Sequence, residues 1–124
     1  MEENRLPYET LKIGDTEYKL KISAASAIEI EKKTGKSLAG MADFDKLETV
    51  TLYLWGALNR FQANIDVRKA QEIYDDYIDA GGDLSDMAEI LFKTLTVSGF
   101  FKRQQAEKLL ALAEKAESGA VQES

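Results

Sequence analysis

The stretch YETLKIGDTEYKLKI, Tyr8 to Ile22, permits few local structures. Leu11 and Ile13 alternate with polar residues, as do Tyr18, Leu20 and Ile22, and a period of two belongs to strands with one buried face. Gly14-Asp15 separates the two runs. Glycine at the first position of a two-residue loop reaches φ > 0 without steric cost, which suits a type II′ turn. That loop sets Ile13 opposite Thr16 and Leu11 opposite Tyr18, so the large apolar side chains share one face. On the other face Lys12 meets Glu17, opposite charges directly across the ladder. A two-stranded hairpin is only marginally stable in water, so its apolar face must rest on the helices that follow.

Ser23 is a good N-cap, and Ala24 to Lys33 reads as a helix offering Ala24, Ala27, Ile28 and Ile30 for burial. Lys32 and Lys33 suit the negative end of its dipole, and Gly35 suits a left-handed stop. A second helix is predicted from Asp45, with Asp45 and Glu48 as a capping pair, to about Gln62. Its stripe of Leu47, Val50, Leu54, Leu58 and Phe61 is joined by Leu52, Tyr53 and Trp55. A helix apolar nearly all round is usually central in its fold. A third helix starts after Asp66, presents Val67, Ala70, Ile73, Tyr74, Tyr77 and Ile78, and ends at Gly81-Gly82. A fourth begins near Asp83 to Asp86 and carries Met87, Ile90, Leu91, Leu95 and Val97. Leu54, Trp55, Leu58 and Tyr77 are expected in the core. Ser98-Gly99 interrupts the helical pattern before Phe100-Phe101, and strong helix formers then fill about Lys102 to Ala116.

The sum is an α+β fold, an N-terminal β-hairpin packed on a mainly helical domain of four to five helices. Residues 1–117 read as one domain, within which the helix over about 102–116 can dock or stand apart. Residues 118–124 read as a polar, disordered tail. The size agrees, since 124 residues make one domain able to bury a core.

Charge and composition exclude whole classes of function. A net charge of −6 disfavours binding to a phosphate backbone or an anionic membrane. With no cysteine there is no thiol nucleophile, and with no histidine the commonest general base and metal ligand are missing. No signal segment opens the chain and no apolar run approaches the roughly 18 residues of a membrane span, so the cytosol that made the chain is its expected location.

Two motifs invite sharper readings. EKKTGKSL ends like a phosphate loop, but the first glycine of that motif would fall at Ile30, and the context is a helix ending rather than a strand opening into one. YDDYIDAGGDLSD is acidic enough to suggest a calcium loop. Begun at Asp79, it puts Gly81 at position 3, Leu84 at position 6 and Ile90 at position 12, where ligands or a tight glycine are required. Asp75, Asp76 and Asp79 are better read as a solvated helix face, and Asp83 and Asp86 as helix-start residues. Twenty-two acidic residues guarantee accidental carboxylate pairs, and none falls in a segment that suggests a deep pocket. No catalytic, cofactor-binding or metal-binding residue is expected. Phe100, Phe101, Leu109, Leu110 and Leu112 are the candidate partner-facing residues, because aromatics beyond a break and a leucine cluster on a terminal helix can serve another protein's groove.

The order of landmarks resembles a known family. LKIGDTEYKLKI leads into IEIEKKTGKSL, and AQEIYDDYIDAGGD and SGFFK follow. Over about residues 8 to 102 this is similar to the tail assembly chaperones of long-tailed phages and prophages of Gram-positive bacteria. The resemblance implies a non-enzymatic role in the host cytoplasm, with no catalytic residue and no cofactor. It implies binding to the tape-measure protein, which is kept soluble while tail-tube subunits are recruited around it. It also implies that contact with the tail-tube protein belongs mainly to a longer, frameshifted form, of which this chain is the short product. Self-association is left open. The alternatives are a structural tail or head-completion component of the virion, and a small acidic inhibitor that mimics nucleic acid.

Overall fold

The computed structural model describes residues 7–38, 44 and 46–100. Strands β1 (Glu9–Ile13) and β2 (Thr16–Leu20) are followed by helices α1 (Ala24–Thr34), α2 (Leu47–Asn59), α3 (Val67–Asp79) and α4 (Leu84–Val97). This is the expected α+β arrangement of a hairpin followed by helices. The helix expected over about 102–116 and the tail at 118–124 lie outside the described residues.

The hairpin has the register its turn dictates: Leu11 faces Tyr18, Lys12 faces Glu17 and Ile13 faces Thr16. Gly14 has φ 59°, while Asn64 is the only described non-glycine residue with positive φ, so Asp15 stays negative as a type II′ turn requires. Leu11, Leu20 and Ile22 are buried, and Ile13 and Tyr18 pack beside them. Lys12, Glu17 and Lys19 point outward to solvent.

Ser23 caps α1 by accepting the Ser26 N–H at 3.2 Å. At the far end Gly35 adopts φ 71°, and its N–H closes on the Glu31 carbonyl at 2.8 Å. The Glu31 carboxylate then accepts the Leu38 N–H at 2.9 Å. Gly-Lys-Ser therefore belongs to a helix stop wrapped on a carboxylate, a poor place to seat a phosphate.

Helix α2 is the hub, packing against β2, α1, α3 and α4. Val50, Leu54, Ala57 and Leu58 are fully enclosed. Burying each such leucine or valine side chain contributes about 1.5–3 kcal/mol. Gly56 lets α1 approach, since a Cβ there would lie 2.7 Å from Ile30 Cδ1. The helix starts at Leu47, with Lys46 as an N-cap whose side chain makes no capping bond, and it ends at Asn59. That corrects the expected span from Asp45 to Gln62; Asp45 itself lies outside the described residues. The two ends of the expected stripe are also corrected: Leu47 is 53% exposed and Phe61 43%. Both extend past the length of helix that its neighbours cover. On α1, Ile28 is 52% exposed rather than buried, because α1 packs chiefly on α2 and Ile28 does not lie on that side. Leu54, Leu58 and Tyr77 are core as expected. Trp55 sits at the core's edge, where its indole N–H donates to the Ile65 carbonyl at 2.9 Å.

Asp66 and Asp83 cap α3 and α4 by accepting the N–H groups of Lys69 and Asp86, each at 2.8 Å. Both helices end in the same paired pattern, with Gly82 N–H bonded to the Tyr77 carbonyl and Phe100 N–H to the Leu95 carbonyl. Gly99, at φ 94°, makes the second of these turns possible. The short strip after β2 ties the fold together. Lys21 N–H donates to the otherwise orphaned Ala57 carbonyl of α2 at 3.0 Å. The next residue, Ile22, donates its N–H to Ser98 Oγ at the end of α4 at 2.8 Å.

Candidate functional site

The chain leaves α4 from a fixed point. Ser98 is bonded to the hairpin's exit, Gly99 reverses the backbone, and Phe100 lands half-buried against the core. Of the five expected partner-facing residues, Phe100 is therefore an anchor with one open side. Phe101, Leu109, Leu110 and Leu112 lie outside the described residues.

A second surface forms where the outer face of the hairpin meets the end of α2. The Tyr8 and Phe61 rings stand edge to face, their centroids 5.7 Å apart and their planes at 75°. Lys19 Nζ lies 5.0 Å from the Tyr8 ring centre and 6.0 Å from that of Phe61. The Arg60 guanidinium is 5.8 Å from the Phe61 ring centre on its own. A cation over a ring face at such distances contributes about 0.5–1 kcal/mol when exposed. Sequence reading did not find this corner. Tyr8 and Lys19 are visible as outer-face residues from strand alternation, but only the docking of β2 on the end of α2 brings Phe61 and Arg60 to them.

The opposite sign of charge gathers on α3 and the start of α4. Asp75, Asp76 and Asp79 are exposed, as expected of a solvated helix face, and Asp83 and Asp86 at the start of α4 are exposed too. Burial raises the phenol pKa values of Tyr74 and Tyr77, and the neighbouring carboxylates, Asp83 and Asp86 among them, add to the effect. Among the described residues no group of three or more carboxylates is placed to hold a metal ion.

A cleft of about 590 Å³ lies between the end of α1 and the starts of α2 and α3, with Lys33, Lys36 and Lys46 on its walls. Glu48 and Tyr53 share it, and burial together with Glu31 raises the Tyr53 pKa. Lys36 and Lys46 are already engaged within the chain, so the cleft is not an open cationic socket. No described helix is long and apolar enough to cross a membrane.

No family model, curated protein or solved structure matches this chain.

Proposed function

We propose that this chain is a phage tail assembly chaperone, a non-enzymatic protein that binds the tape-measure protein in the bacterial cytoplasm, keeps it soluble and helps recruit tail-tube subunits. The observation that carries the reading is where the residues of the family resemblance fall. They are the hairpin with its turn, the left-handed stop of α1, the glycine ending of α3, and the Ser98–Gly99–Phe100 exit of α4. An acidic, well-solvated surface suits a protein that holds an aggregation-prone client in solution. The exit supplies a rigid root for the client-binding segment, with Phe101, Leu109, Leu110 and Leu112 as its grip and Phe100 as its anchor.

Co-expression with the tape-measure protein encoded beside it tests the reading. Soluble client that co-purifies, and that a Leu109→Asp, Leu112→Asp variant with an unchanged circular dichroism spectrum fails to retain, supports it. A client that stays insoluble with this chain present refutes it. The acidic side of α3 and the start of α4 favours a second reading, an inhibitor that mimics nucleic acid. Capture of a basic nuclease or regulator, lost on reversing Asp75 and Asp79, is the result that reading requires.

A further inference from the structure

We propose that the cleft between the end of α1 and the starts of α2 and α3 binds a segment of another protein in which one acidic residue stands beside an apolar one. Its volume of about 590 Å³ falls within the roughly 300–1,000 Å³ of ligand sites. Tyr53 is the residue that points to a ligand. It lines the cleft and is only 3% exposed, and its ring stands edge to face on Phe44 with the centroids 5.0 Å apart. Its hydroxyl nevertheless makes no hydrogen bond among the described residues and is not sealed from solvent. Burial and the charge of Glu31 raise its pKa, so the phenol keeps its proton and offers an O–H donor.

The same walls hold further donors without partners among the described residues: the Lys33 ammonium, the Gln71 amide and the Thr49 hydroxyl. A cation together with O–H and amide N–H donors is what a carboxylate requires. Lys36 and Lys46 are already engaged, which leaves Lys33 as the cation for an incoming group. Glu48, on the same wall, repels a second carboxylate, so one acidic residue suits the cleft better than a run of them. Leu52 and Val67 supply the apolar part of the lining. Leu47, 53% exposed, stands one helical turn before Thr51, a lining residue, and extends that apolar surface past the mouth. A free small acid would leave Leu47 uncovered, whereas a peptide crossing the mouth covers it. The inference concerns this cleft alone and is independent of the tape-measure reading.

An amide NMR titration of the isotope-labelled 124-residue chain with the peptide acetyl-Ala-Leu-Glu-Leu-Ala-amide tests it. Shifts centred on Lys33, Leu52 and Gln71 are expected, with a Kd below about 1 mM. The same peptide with glutamine in place of glutamate should bind about tenfold more weakly. Tyr53→Phe keeps the ring and loses only the unbonded hydroxyl, so it should weaken binding about five- to tenfold with the melting temperature unchanged. Lys33→Gln should do the same. No shift at about 5 mM peptide, equal affinity for the two peptides, or a Tyr53→Phe variant that binds like wild type overturns the proposal. Sodium acetate that shifts the same amides at the same concentration also overturns it, because the cleft then holds a free carboxylate rather than a peptide.

Discussion

The backbone N–H of Ile22 donates to Ser98 Oγ across 2.8 Å, joining the hairpin's exit to the end of α4, seventy-six residues away in sequence. Ile22 is 3% exposed, so its N–H has little access to water of its own. Ser98→Ala should cost about 1–3 kcal/mol, the penalty for an unpaired buried donor. The melting temperature should fall by several degrees, and Ser98→Thr should recover most of the loss. Urea unfolding of the three proteins checks this, and an alanine variant as stable as wild type would show that the bond contributes nothing.

Gly56 and Ile30 define the closest approach of α1 and α2. Gly56→Ala gains up to about 1 kcal/mol of helix propensity. It also drives a methyl against Ile30 Cδ1 in a filled core, an overpacking cost of roughly 1–3 kcal/mol. Net destabilisation is expected. Ile30→Val alone should cost about 0.5–1.5 kcal/mol, yet in the Gly56→Ala background it removes the clashing atom. The double variant should therefore be more stable than the sum of the single changes, and additive costs would rule out the contact.

A methyl at Gly82 meets a harder obstacle. It would run into the Tyr77 ring, which is nearly enclosed and lies across the ending of α3. Gly82→Ala should lose roughly 1–3 kcal/mol. Gly82→Ala combined with Tyr77→Leu should lose less than the two changes added together. Chemical denaturation of the four-member cycle provides the measurement.

What the sequence made legible, and what it hid, follow from the range of the forces involved. Ser23, Asp66 and Asp83 cap helices, Gly35 stops one, and the Gly14 turn sets the strand register; each choice is decided within about four residues of chain. Periodicity also says which residues share a helix face, but it does not say how far a neighbour covers that face. Leu47, Phe61 and Ile28 were misjudged for this reason. The start of α2 was misplaced because Asp45 and Glu48 look like a capping pair, whereas the helix begins at Leu47. The Tyr8–Phe61 corner was beyond local reading, since its rings are separated by most of the hairpin and two helices. The break at Ser98-Gly99 falls where the sequence puts it, and the Phe100 ring beyond it is half-buried against the core.

Glu9 provides a pH test of the hairpin's seat on α4. It lies opposite Leu20 on β2, half-buried, with Lys93 of α4 nearby. Burial raises its carboxyl pKa above the ordinary 4.5, while the Lys93 charge and a backbone bond at Thr10 offset part of the rise. A raised carboxyl pKa means that the folded chain binds a proton more tightly than the unfolded chain. This group's contribution to stability therefore falls as pH rises from about 4.5 through the raised value, and at neutral pH the charged form is a net cost. Glu9→Gln removes that cost. The variant should unfold at a higher urea concentration than wild type at pH 7, and the gap should narrow as the pH is lowered toward the ordinary carboxylate range. If Glu9→Gln is instead the less stable protein at pH 7, the attraction of Lys93 outweighs burial, and charge attraction across the hairpin and α4 helps hold this end of the hairpin in place.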